Sequence, residues 1–196
     1  MSHKKSDKNH NVIKEDNLTY DDYASLDDQN RYELAGGKLE LMSTSTSTTH
    51  QLVSSELYKE IANSCKSDYF IFYARIDVIL SEADVRQTDL AMVGRKRIDI
   101  LTNRGIEGAP DLVVEIISPS SLKRDKIDKL AAYAHFKIPE YWIVDPNLGA
   151  LEQHVLTKEQ YELIDIFQND EQITSPNITC ISFTMKNVMD NIPRLD

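Results

Sequence analysis

GAPDLVVEIISPSSLKRDKIDKLAAYAHFKIPEYWIVDP, residues 108–146, is the stretch whose reading decides the fold. Leu112, Val113, Val114, Ile116 and Ile117 make a short, nearly continuous apolar run rich in β-branched residues, the pattern of a strand covered on both faces. Glu115 alone interrupts it. A carboxylate in such a strand costs several kcal/mol unless a cation, a metal or hydrogen-bond donors meet it. Ser118-Pro119-Ser120-Ser121 then breaks the strand and offers hydroxyls that cap a helix. The spacing predicts a helix from about Lys123 to Phe136, with Ile127, Leu130, Ala131, Ala134 and Phe136 towards the sheet. Asp125 and Lys129, with Lys126 close by, either form a surface pair worth a few tenths of a kcal/mol or turn towards Glu115. Pro139 ends the helical region, and Tyr141-Trp142-Ile143-Val144 reads as a second buried strand stopped by Asp145-Pro146-Asn147. Strand, crossover helix and strand of this length make a right-handed parallel unit.

Upstream, residues 1–17 are polar and charged and read as a flexible N-terminal tail without a secretion signal, leaving 18–196 as a single domain. Thr19 caps a short helix, and Asp27 to Tyr32 reads as a further helical turn that ends at Glu33. Gly36-Gly37 marks a tight turn before the alternating strand Lys38 to Met42. The Ser/Thr tract from Ser43 to Thr49 reads as a flexible loop ending in a cap for a helix from about His50 to Cys65. Phe70 to Leu80 and Thr88 to Val93 are strand candidates joined by a polar turn, and Asp89 is the only acid in the second. Gly94 to Gly108 reads as a loop. Beyond Pro146, two antiparallel strands (151–156 and 161–167) and a last helix from about Met185 complete the chain.

The composition is that of one soluble globular domain: 196 residues, 41% hydrophobic and 28% charged. Cys65 and Cys180 form neither a disulfide framework nor a zinc pattern and are expected as reduced, packed thiols in a reducing cytoplasm. No run approaches the roughly 20 apolar residues of a membrane helix. A net charge of −10 argues against tight non-specific nucleic-acid binding. The local basic patches Arg95-Lys96-Arg97 and Lys123-Arg124-Lys126 either steer DNA or are solvated faces.

The segment Pro110-Asp111-Leu112-Val113-Val114-Glu115, with Ser118-Pro119-Ser120, Asp125, Lys129, Tyr133 and Glu140 to Pro146, resembles the Uma2 family. So do Tyr32-Glu33-Leu34 with Gly37, His50, and Thr88-Asp89-Leu90-Ala91, an ordered set spanning about Tyr20 to Met189. The resemblance implies an α/β domain of the restriction-endonuclease-like, PD-(D/E)xK nuclease fold, with a central mixed β-sheet flanked by helices. It implies a Mg²⁺-dependent endonuclease acting on DNA, with Mn²⁺ as an alternative ion. Asp89 and Glu115 are then the metal ligands, with the Ile116 carbonyl as a third, and Glu33 is the additional acid found in many proteins of this fold. The motif's usual lysine position holds Ile117, so the family pattern transfers that role to Lys129 in the helix, with Lys126 as the alternative donor. A histidine recurs at the place of His50, which either caps its helix or faces the site. Asp111 is read as the start of its strand, Asp145 as a turn cap, and Trp142 and Tyr133 as core. A homodimer is expected, because two-fold DNA is commonly read by two-fold proteins. The competing reading is a nuclease-fold binding module without turnover, suggested by the acidic chain and the displaced lysine. A different metal-dependent hydrolase on the same scaffold is a third.

Overall fold

A mixed sheet that forks along one strand sets the architecture. The computed structural model describes residues 16–28, 30–42, 47–118 and 121–194. The expected tail (as far as residue 15), residues 43–46 of the Ser/Thr tract, and Pro119 with Ser120 lie outside these. The elements run α1 (Tyr20–Ala24), β1 (Tyr32–Ala35), β2 (Lys38–Leu41), α2 (Thr48–Cys65), β3 (Tyr69–Ser81), β4 (Asp84–Gly94), β5 (Ile106–Glu107) and β6 (Leu112–Ile116). A π-helical segment, Arg124–Lys129, runs directly into α3 (Leu130–His135). The chain finishes with β7 (Glu140–Asp145), β8 (Ala150–Thr157), β9 (Gln160–Gln168), β10 (Gln172–Ile173), β11 (Phe183–Thr184) and α4 (Met185–Met189).

Among the described residues nine strands form one sheet, ordered β2-β1-β4-β6-β7-β8-β9, with β3 and β5 joined through β4. The β6–β7 pair is parallel, as the strand–helix–strand reading predicts. Along one edge β4 pairs with β3 for most of its length. Its other edge is shared: β1 meets it at Val85, and β6 meets it from Leu90 to Met92. The strand residues between these two contacts, Arg86 to Asp89, have no strand partner on that edge. Their backbone groups must therefore find other partners.

Two apolar layers fix the sheet. On one face Val53, Leu57 and Ile61 of α2 pack on Leu90, Met92, Val114, Ile116, Trp142 and Val144, with Met185 and Val188 of α4. On the other, Val113, Ile117, Tyr141 and Ile143 pack with Tyr133 and Ile138. Every residue of β6 is buried, so each of its aliphatic side chains contributes roughly 1.5–3 kcal/mol of burial.

Several expectations are corrected. Tyr32 and Glu33 belong to strand β1, not to a helical turn; their side-chain alternation serves the β1–β2 hairpin, where Glu33 faces Glu40. The stretch after Gly94 is not all loop: Arg95–Ile100 forms a 3-10 turn, and Gly105 then brings the chain beside β3. A side chain at Gly105 would lie 2.3 Å from the Asp77 carbonyl, so only glycine permits that approach. Cys65 and Cys180 are not separate thiols; a disulfide joins α2 to the segment before β11. The helix presents only part of the face its apolar spacing predicts: Ala134 is buried and Leu130 packs against the Tyr133–Tyr141 layer. Ile127 is 57% exposed and Ala131 is exposed, whereas Asp125, Lys129 and Tyr133 are buried. No helix among the described residues is long and apolar enough to cross a membrane.

Candidate active site

The open stretch of β4 is closed by side chains. The Gln87 N–H donates to Glu33 Oε1 at 2.9 Å, and the Gln87 carbonyl accepts from Lys129 Nζ at 3.1 Å. The Ile116 N–H donates to Asp89 Oδ2 at 2.8 Å. Three of the expected residues thus substitute for missing ladder bonds, which is why charged groups are tolerated inside a sheet.

Lys129 is the hub. Its ammonium is fully buried and lies 2.7 Å from Glu115 Oε1, 3.1 Å from Glu33 Oε1 and 3.8 Å from Asp125 Oδ1. Burial alone would lower its pKa, but Glu115, Glu33 and Asp125 outweigh that and hold it protonated. Glu115 also accepts from the Tyr133 hydroxyl at 3.0 Å. Burial pushes the Glu115 carboxyl well above its ordinary range, against the opposing pull of Lys129. Burial likewise raises Asp125 and Tyr133. The buried acid in β6 has the partner its position demands.

Asp89 is held differently. Besides Ile116, His50 Nε2 lies 3.0 Å from the same Oδ2, which leaves Asp89 Oδ1 without a hydrogen bond among the described residues. His50 sits in the first turn of α2, where Ser47 Oγ accepts from its backbone N–H. Burial lowers the imidazole pKa, but the Asp89 carboxylate overrides it and the net shift is upward. Next along β4, the Gln87 side chain is clamped by Arg31 Nη2, Tyr23 and Asp77.

Glu33, Asp89, Glu115 and Lys129 are therefore brought together around the open stretch, with Ile116 supplying a backbone donor. Lys126 is not part of this cluster: its ammonium reaches Glu152 at 2.5 Å. Asp111 lies at the other end of β4, bound to the Gly94 N–H at 2.6 Å and to Arg97 at 2.7 Å. Asp145 caps its turn through the Asn147 N–H, and Trp142 is core. Tyr133 is core by its ring but site by its hydroxyl. The sequence signal for this face was the spacing Asp125, Lys129, Tyr133, four residues apart each time.

The site's oxygen atoms are unevenly used. Glu115 Oε1 takes both Lys129 and Tyr133, whereas Oε2 takes no hydrogen bond among the described residues. Glu33 Oε2 and Asp125 Oδ1 are buried without a hydrogen-bond partner. Such atoms carry a desolvation cost of about 1–3 kcal/mol each, more when charged, unless something binds them. Among the described residues no group of three or more His, Cys, Asp or Glu side chains converges as a complete ligand set.

A large mixed sheet flanked by helices is the architecture of the restriction-endonuclease-like fold. The model of the Uma2 family, described as "Putative restriction endonuclease", matches residues 19–186, and the chain belongs to that family. The fold is shared with a solved structure described as "a putative nuclease belonging to DUF820 from Anabaena variabilis". The two are 18% identical, the match covers 88% of this chain and 98% of that one, and the TM-score is 0.71. The type IIG restriction endonuclease BpuSI matches with a TM-score of 0.34 at 13% identity, over 72% of this chain and 16% of its own. No curated protein matches the sequence.

Proposed function

We propose that the protein is a Mg²⁺-dependent endonuclease that hydrolyses phosphodiester bonds of DNA, with Mn²⁺ able to replace Mg²⁺. The observation that carries this reading is that Asp89 and Glu115, on the paired strands β4 and β6, each keep one carboxylate oxygen without a hydrogen bond among the described residues, with Glu115 bound by a buried lysine. The donor chemistry fits the ion. Asp89 Oδ1, Glu115 Oε2 and the Ile116 carbonyl are hard oxygen donors, and Mg²⁺ is held by one or two carboxylates while keeping several waters. Bound there, the ion supplies a hydroxide at neutral pH and neutralises charge on the phosphate.

The protein's own residues prepare that site. Ile116 and His50 fix Asp89 through Oδ2, and Lys129 and Tyr133 fix Glu115 through Oε1, so that each carboxylate keeps one defined oxygen for a ligand. Lys129 adds positive charge where negative charge develops on the phosphate. Glu33 holds the lysine in place and, through Gln87, the strand that carries Asp89. The complete burial of Lys129 favours the second reading, a binding module on the same fold without turnover.

Cleavage of supercoiled plasmid and of short single-stranded DNA, in Mg²⁺ and then Mn²⁺, separates the two. Metal-dependent cutting by the wild type, reduced at least about a hundredfold in Asp89→Ala, Glu115→Ala and Lys129→Ala, supports the nuclease. DNA binding without cutting under any of these conditions supports the binding module.

A further inference from the structure

Arg124 opens the π-helical segment, one residue before Asp125. Its side chain is 25% exposed, and its Nε is buried without a hydrogen-bond partner. Among the described residues its one ion pair is with Asp125 Oδ1 at 3.6 Å, too long for a hydrogen bond. That oxygen itself takes no hydrogen bond among the described residues. The other cations that touch the site's acids are committed or enclosed: Lys129 is fully buried on Glu115, and Arg86 is 5% exposed between Glu33 and Asp84. Arg124 is drawn inward by charge, and its guanidinium makes no hydrogen bond among the described residues. Burial opposes its charge, but Glu33, Asp125, Glu115 and Glu40 outweigh that.

We propose that Arg124 binds a backbone phosphate of the nucleic-acid strand at the mouth of this site, an inference that rests on the nuclease reading. A guanidinium presents five N–H donors in a planar fork that matches two phosphate oxygens. Four carboxylates would repel an approaching phosphodiester, and a cation held beside them with open donors offsets that repulsion while fixing the strand's position. Of the three cations in the patch 123–126, Lys126 is taken by Glu152, and Arg124 is the one that faces the acids.

The test uses the full chain, a fluorescent DNA duplex and Ca²⁺ for binding, then Mg²⁺ for turnover, with Arg124→Gln and Arg124→Lys. Arg124→Gln is expected to weaken duplex binding and raise KM about tenfold. It is also expected to lower the slope of log affinity against log salt by about one. Arg124→Lys should recover the salt slope but only part of the affinity. Mn²⁺ binding retained in both variants shows that the fold and the acids are intact. A wild type that binds and cuts DNA, with Arg124→Gln unchanged in affinity, KM and salt slope, overturns this inference alone. A wild type that neither binds nor cuts DNA overturns the nuclease reading and this inference with it.

Discussion

Lys129 places a positive charge where solvent does not reach, and Glu115, Glu33 and Asp125 surround it. Removing one member of a buried ion pair leaves the other uncompensated, at a cost of about 3–5 kcal/mol. Lys129→Met should therefore lose about that much in urea denaturation, and Glu115→Gln in the same chain should restore part of it. Asp77, which shares Gln87 with the site, offers a pH test. Its carboxyl is raised above the ordinary value of 3.8 chiefly by burial, against the hydrogen bonds from Tyr23 and Gln87. A raised folded pKa means stability that is fully present below the unfolded pKa and is lost as pH rises through the folded one. Asp77→Asn should accordingly gain stability relative to the wild type as pH rises from about 4, and the difference should level off above the folded pKa. A difference that does not vary with pH would refute that assignment.

At the scale of the element, the sequence was legible wherever one rule acted alone. The buried run of β6, the hairpin turn at Gly36-Gly37, the Thr19 cap, a cap within the Ser/Thr tract before α2 and the parallel β6–β7 pair follow from pattern and local chemistry. The inward face of the helix after β6 was read only in part, for a physical reason. Apolar spacing assigns the inward face to Ile127 and Ala131, but Glu115 in the sheet demands a cation and donors. The wide π turn, with the Tyr141 hydroxyl holding the Asp125 carbonyl at 2.9 Å, turns the polar row inward instead. Ile127→Lys should then change stability by less than about 0.5 kcal/mol, whereas Tyr133→Ala should cost about 3–5 kcal/mol. Equal costs would restore the apolar face. Glu33 was misplaced because a four-residue strand carries too little period to be told from a helical turn.

For the whole molecule, the decisive features were non-local. That β1 and β6 share one edge of β4, leaving Arg86 to Asp89 open, depends on contacts between segments far apart in sequence. Glu33, Asp89, Glu115 and Lys129 were found through a family resemblance; the hold of His50 on Asp89 and the choice between the two placements of Asp125 needed the assembled sheet. The cysteine pair was also illegible: two cysteines 115 residues apart give no pairing signal. The disulfide predicts no titratable thiol in the denatured, unreduced protein, and a loss of about 2–5 kcal/mol on reduction. Two free thiols would contradict it. The most direct test of the central claim, that Asp89 and Glu115 share one divalent-cation site, is a Mn²⁺ titration of the wild type, Asp89→Asn, Glu115→Gln and Asp111→Asn. The proposed function predicts binding that is lost in the first two variants and kept in the third. Equal binding by all four proteins, or none by the wild type, would contradict it.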